Sequence, residues 1–239
     1  IKNHLIKQYD GIFFKDEDID KHINNYINYK QSDYLIAKIS PIVRKGSKIL
    51  DIGSGYGNFV ISATKNGFDC RGIELEDFEH KIAQEISLKN NIDPSRFKKG
   101  SALSLPYENK SFDVLTFWNV LEHVNDYKSA LKEACRVLKD DGKIFIIAPN
   151  YCAFRKEAHY RVPWLPLFPK PLARIYLKIL KRKTYFLDNC IFYVTYFGLK
   201  KFVKTLNLSV SIDINEKILV NHNFKSVRVN SFIKVLKKL

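Results

Sequence analysis

The stretch "ILDIGSGYGNF", Ile49 to Phe59, places three glycines at alternate positions directly behind a short apolar run. The run reads as a strand and Asn58 to Lys65 as a helix, so the glycines form the turn between them. A turn stripped of side chains lets the backbone approach a ligand closely. About twenty residues further on, Glu74 in "GIEL" stands at the end of the next expected strand, where a carboxylate can accept hydrogen bonds from both ribose hydroxyls of an adenosine ligand.

Nicotinamide enzymes share the turn and the acid. Their fingerprint, G-x-G-x-x-G, seats a pyrophosphate on the helix N-terminus. Here the glycines are Gly53, Gly55 and Gly57, and Asn58 stands where that fingerprint has its third glycine. The pattern is off by one. Asp51, at the head of the turn, would repel a pyrophosphate but suits a ligand carrying an amino group and a sulfonium cation. S-adenosylmethionine fits these residues better than NAD.

From Lys48 to Pro149 short apolar runs alternate with amphipathic stretches, the pattern of βα units around a mostly parallel sheet. "KILDI", "DCRGI", "RFKKG", "FDVLTFW" and "KIFIIAP" are the expected strands. Helices are expected over Asn58–Lys65, Glu79–Asn90 and Tyr127–Leu138, the last with Asp126 as N-cap, and a turn at Asp140–Gly142. One or two polar helices are expected between Ile19 and Val43. Residues 151–183 hold four of the eight prolines, which argues for a shaped loop or lid, followed by the basic amphipathic segment "RIYLKILKRK". A helix over Leu199–Thr205, an edge or hairpin strand "LSVSIDI" and a final basic helix complete the pattern.

The ordered motifs "ILDIGSGYG", "GIEL", "GSALSLPYENKSFDVLTFWNVLEHV" and "RVLKDDGKIFIIAPN" resemble the class I S-adenosylmethionine-dependent methyltransferases, in particular the type 11 group. The resemblance covers Lys48 to Asn150. It implies an α/β, Rossmann-like, seven-stranded mostly parallel sheet with helices on both faces. A helical cap (residues 1–45), a cofactor-binding core (46–150) and a substrate-side lid that completes the sheet (151–239) are the expected parts. The product of such an enzyme is S-adenosyl-L-homocysteine.

Carried onto this chain, the resemblance implies that Asp51, Gly53, Ser54 and Gly55 line the methionine and ribose side of the cofactor. Glu74 would bind the ribose hydroxyls, with Leu75 beside the adenine. Ser101 stands where the family usually has an aspartate that contacts the adenine amino group, so Ala102 and Leu103 would contribute backbone there. Asn119 would open toward the methionine portion. His123, in "EHV", lies in related enzymes close to the methyl-transfer site, where an imidazole can take a proton. The alternative is that Glu122 and His123 only orient their loop.

The segment "KEAHYRVPWLPLFPK" is similar to one in methyltransferases of bacterial capsule and lipopolysaccharide gene clusters. It supplies His159 and Tyr160 as further candidate bases. Arg161 is a candidate phosphate clamp, with Trp164 beside it on the substrate side. The alternative is lid packing by the apolar residues, with the polar groups facing water.

Of the 239 residues 46% are hydrophobic, enough for one substantial core. The absence of an apolar run of about 18 residues or of a signal-peptide block leads to the expectation of a cytoplasmic protein, peripheral at most to the inner face of the membrane. The cysteines, Cys70, Cys135, Cys152 and Cys190, lie apart with no metal-ligand spacing, so no metal is expected.

A net charge of +15, from 40 Lys and Arg against 25 Asp and Glu, favours anionic partners. Scattered basic residues without a binding module argue against nucleic acid. A nucleotide-linked or lipid-linked glycan acceptor, including phosphate-type groups, is the expected substrate. RNA or quinone methylation and a non-catalytic cofactor-binding subunit are the alternatives. "RIYLKILKRK" is expected to pack as a lid, with contact to an anionic membrane as the other reading.

Overall fold

The computed structural model describes residues 2–8, 20, 24, 29–152, 156–157, 159–163, 168–206, 208–213 and 231–238. Strands β1 (Lys48–Ile52), β2 (Asp69–Glu74), β3 (Phe97–Lys99), β4 (Phe112–Trp118) and β5 (Leu138–Pro149) pair in parallel. The sheet continues through β7 (Ser231–Lys238), antiparallel to both β5 and β6 (Leu208–Asp213), giving the order β3-β2-β1-β4-β5-β7-β6. From β1 the chain first builds outward through β2 and β3, then returns to add β4 on the other side. The order therefore reverses between β1 and β4, and a crevice opens beyond their carboxyl ends.

Period-two alternation explains the two cores. Leu50 and Ile52 of β1, with Leu115 and Phe117 of β4, face one side, where α5 (Tyr127–Val137) and α8 (Tyr196–Lys204) contribute Leu131, Ala134, Leu199 and Val203. Ile49, Val114, Phe145 and Ile147 face the other, against α2 (Lys30–Ile39), α3 (Asn58–Lys65) and Ala83 of α4 (Asp77–Lys89). A short N-terminal helix, α1, spans Lys2–Gln8. A third cluster, outside the sheet, joins Tyr151, Tyr160 and Val162 to α6 (Lys170–Ile179) and α7 (Tyr185–Asn189).

Asp126 caps α5 by accepting from Ser129 N–H at 3.0 Å, a contact of the kind that contributes about 1 kcal/mol. Three local expectations change. Asp140–Gly142 is not a turn between elements: Phe112 pairs with Leu138 and Val114 with Lys143, so the acidic residues form a bulge within β5. The C-terminal basic segment is β7 rather than a helix, because the outer edge of β5 offers a row of unpaired backbone groups that an extended segment satisfies. The helices expected at Glu79–Asn90 and Leu199–Thr205 begin two and three residues earlier, at Asp77 and Tyr196. Most of the expected polar helices before Lys30 lies outside the described residues.

Gly57 ends the turn at φ +80°, and a Cβ there would stand 2.6 Å from the Phe97 ring. Gly57→Ala is therefore expected to destabilise the fold by about 1–3 kcal/mol, through backbone strain and the displaced ring. Urea unfolding should show a lower midpoint with an unchanged slope.

Candidate active site

The crevice is a cavity of about 880 Å³, within the range of small-molecule sites. Its floor is the β1–β4 pair. Asp51 stands in register with Thr116, so both side chains leave the sheet on one side, and Thr116 Oγ1 donates to Asp51 Oδ1 at 2.6 Å. Asp51 is only 2% exposed. Burial pushes its carboxyl up to about 7, against the lowering effect of the Thr116 hydrogen bond, with nearby Glu74 raising it further.

The turn after β1 is latched to β2 through Glu74. Glu74 Oε2 accepts from Gly55 N–H at 2.8 Å, and Oε1 accepts from the N–H groups of Leu75 (2.8 Å) and Glu76 (3.0 Å). A carboxylate has about four acceptor positions, so Oε2 retains one for a ligand hydroxyl. Gly53, at φ +71°, lies so close to Val120 that a Cβ would meet its side chain at 2.6 Å, whereas a Cβ on Gly55 would meet nothing within 4 Å. Leu75 and Leu103 border the cavity while 58% and 37% exposed, apolar surface of the sort a flat base covers.

Asp51, Gly53, Ser54, Gly55, Glu74, Leu75, Ser101, Ala102, Leu103, Asn119 and His123 all line this one cavity. Ser101, in place of the family's aspartate, turns its hydroxyl back to accept from Leu103 N–H at 3.1 Å. Asn119 holds a left-handed φ of 56°, and its N–H donates to Ile147 O at 2.8 Å. Ser54 Oγ, Asn58 Oδ1 and Trp118 Nε1 are buried in the lining without a hydrogen-bond partner. An acid for a cation, an acid for hydroxyls, exposed leucines and these unpartnered atoms suit an adenosine ligand with an amino-acid tail.

The remaining candidates separate. Tyr160 is not at the cavity: its hydroxyl donates to Lys183 O at 2.9 Å and accepts from Leu187 N–H at 3.0 Å, and burial pushes it up to about 12. It braces the lid. Arg161 is exposed, at a left-handed φ of 55°, and is not in the cavity lining, so no phosphate clamp forms there. Trp164 lies outside the described residues. His159 is not in the lining either, but it stands directly behind His123, which is.

That pair has a definite proton count. His123 Nδ1 lies 2.6 Å from Cys190 O, and His159 Nδ1 lies 2.8 Å from Glu157 Oε1. Both partners only accept, so both Nδ1 atoms carry hydrogen. The two Nε2 atoms face each other at 3.3 Å. Two lone pairs would repel at that distance, so one further proton sits between them.

Glu157, 1% exposed, balances the charge while also accepting from Tyr151 Oη (3.0 Å) and the N–H groups of His159 (2.8 Å) and Tyr160 (2.6 Å). Burial pushes Glu157 up, but the bond and charge of His159 and these N–H groups outweigh it and hold it below the usual range. His123 is exposed and lines the cavity. Desolvation, then the charge of His159, push it down to about 4. Among the described residues no cluster suited to a metal occurs.

Sequence reasoning missed the walls. Gln31, Ser32 and Leu35 come from α2, and Phe186, Asn189 and Phe192 from the segment after the proline-rich stretch. Their spacing carries no periodic signal pointing at β1, since only folding brings them there.

A cavity over the switch point, with an acid at the end of β2 and a buried acid before the glycine turn, defines the class I, Rossmann-like type of nucleoside-cofactor enzyme. The methyltransferase-domain family model matches residues 25–189. The chain belongs to this family, and its domain is that of an S-adenosylmethionine-dependent methyltransferase. It is 32% identical over 171 residues to demethylmenaquinone methyltransferase of Lactococcus lactis, covering 67% of this chain and 61% of that protein. It is 31% identical over 108 residues to the uncharacterized methyltransferase YcgJ of Bacillus subtilis, covering 45% of this chain and 42% of that protein. The matches thus span less than two thirds of either relative. In fold it is similar to a Thermotoga maritima S-adenosylmethionine-dependent methyltransferase, with a TM-score of 0.60 and 17% identity over 99% of both chains.

Asp51 carries a pH-dependent cost of its own. Its folded value, about 7, exceeds the ordinary 3.8, so the stability it contributes is present below the unfolded value and is lost as pH rises through the folded one. Asp51→Asn is expected to raise the melting temperature of the ligand-free protein at pH 8 by about 2–4 °C, the shift that about 1 kcal/mol produces at this size. The gain should vanish near pH 4 in thermal scans.

Proposed function

We propose that the protein transfers a methyl group from S-adenosylmethionine to an uncharged, ring-bearing acceptor with an ionisable O–H, of the quinol or phenol class. The observation that carries this is the charge of the cavity. Among its described lining residues there is no lysine or arginine, while Asp51, Glu74, Glu76 and Glu79 are all present. A phosphorylated or otherwise anionic acceptor would enter against these carboxylates with no lysine or arginine beside it and only the His123–His159 pair, whose charge Glu157 already balances, to offset them, a costly desolvation. Trp118, Phe186 and Phe192 also line the cavity, and such rings suit a flat apolar acceptor. The relatives named for demethylmenaquinone support an uncharged, quinone-type ring as the acceptor. The glycan reading of the sequence rested on the core motifs, the basic charge balance and the "HYRVPWLP" element, with Arg161 as its phosphate clamp. With Arg161 outside the cavity, a neutral sugar hydroxyl is what remains of it.

In this reading Asp51 faces the cationic end of the methyl donor, with the backbone of Gly53, Ser54 and Gly55 alongside. Glu74 takes a ribose hydroxyl through Oε2, Leu75 and Leu103 flank the adenine with Ser101 and Ala102 at its edge, and Asn119 borders the methionine. When bound, S-adenosylmethionine supplies a methyl carbon activated by a positive sulfur. That chemistry would leave S-adenosyl-L-homocysteine as the second product. His123 Nε2 takes the acceptor's proton in the state from which the proton shared with His159 has left, so the rate rises with pH. His159 is a positioning residue, aimed by Glu157.

Labelled S-adenosylmethionine should deliver methyl groups to neutral quinols or phenols and not to sugar phosphates; transfer confined to phosphorylated glycans or RNA would reject the acceptor class. His123→Gln is expected to lower kcat by about 10²–10⁴-fold, the usual worth of a general base, with cofactor affinity unchanged. His159→Gln removes the charge that holds His123 down, so the acidic limb of kcat/KM should move to higher pH. An unmoved limb would show that the pair does no proton work.

A further inference from the structure

In a chain of +15 no lysine or arginine stands among the cavity's described lining residues, and one surface element gathers both cations and bare apolar area. Helix α6 buries Ala173 and Leu177 in the third cluster. Leu172, Ile175 and Ile179, spaced to form a second stripe along the same helix, are 54%, 56% and 72% exposed, and Tyr185 at the start of α7 is 68% exposed. Residues 170–183 hold six cations, Lys170, Arg174, Lys178, Lys181, Arg182 and Lys183, and no acid. Arg174 is held by Asp188 of α7, its Nε 2.7 Å from Oδ1. Thus the helix is pinned through Ala173, Leu177, Lys170 and Arg174, while the aliphatic stripe is exposed together with Lys178, Lys181 and Lys183.

We propose that this outer face of α6, continued by Tyr185, is a docking surface for an anionic lipid bilayer. Charge complementarity chooses the occupant. A two-fold contact with a second copy would bring the same face onto itself and set its lysines against one another. A bilayer of anionic lipid takes up the aliphatic stripe and pairs with the cations at its headgroups. Ten residues of helix are about 15 Å long, so α6 lies in the interface. No described helix is long and apolar enough to cross a membrane. Docking would also serve the site, because α7, the neighbour tied through Arg174, sends Phe186 into the cavity wall. The surface stands apart from the acceptor class proposed above, so either can fail alone.

The test is co-flotation of the full chain with vesicles of phosphatidylcholine alone or mixed with phosphatidylglycerol, at low and high salt. Binding to the anionic vesicles should exceed binding to neutral ones by at least about tenfold, as a cluster of surface cations gives, and should weaken with salt. Ile175→Glu/Ile179→Glu should lose it, with the melting temperature and S-adenosylmethionine binding retained. If that variant fails to fold, Ile175→Ser/Ile179→Ser should still reduce binding several-fold by the lost apolar burial. The proposal is overturned if anionic vesicles are not bound, or if the substituted protein binds as well as the parent. It is equally overturned if the parent is a dimer that the substitutions dissociate, since the face then belongs to a second copy.

Discussion

Everything at the site is arranged around one buried carboxylate. Asp51 points up from β1, and the Thr116 hydroxyl, in register on β4, is its only hydrogen-bond partner among the described contacts. A single neutral donor does not offset full burial, so the group sits near pH 7 and is incompletely charged. That is an unfavourable arrangement for a folded protein by itself and a favourable one for receiving a cation. Strands β1 and β4 meet at the reversal of strand order, where no crossover covers the sheet's end, so the carboxylate looks into a cavity rather than into a core. The Glu74 latch to Gly55 then holds the turn open beside it.

The lid solves a different problem with the same elements of chemistry. Glu157 is buried as deeply as Asp51, yet it is well served, with three N–H or O–H donors and the His159 ring. Its charge is thereby stable, and what it stabilises is a proton held between two imidazoles at the cavity's edge. One buried acid is left wanting a cation and the other has already been given one. The first lies under the glycine turn and the second behind His123.

The central block was legible because each signal was local. Strand β1, strand β4 and helix α3 fall where apolar runs and periodicity place them, and the Asp126 cap is used as its position suggests. The residues expected to bind the cofactor line one cavity for the same reason, since the glycine turn and Glu74 lie at the ends of adjacent strands. Basic periodicity misread the C-terminal segment as a helix, because what makes β7 a strand is the open edge of β5, some eighty residues earlier in the chain. The roles within "HYR" were equally hidden. Neighbours in sequence, His159 meets His123, Tyr160 goes into packing and Arg161 goes to the surface.

By itself, then, the amino-acid order determined the α/β core, the nucleoside turn and the donor it suits, because strand, turn and acid are specified by residues within reach of one another. Tertiary structure alone decided the character of the acceptor side. The absence of lysine and arginine from the cavity's described lining in a chain of +15, the facing of His123 and His159, and the bare stripe of α6 all depend on which side chains from distant segments arrive together and which are left outside. Net charge is a sum over residues, whereas recognition depends on where each charge stands relative to a surface that forms only when the sheet closes.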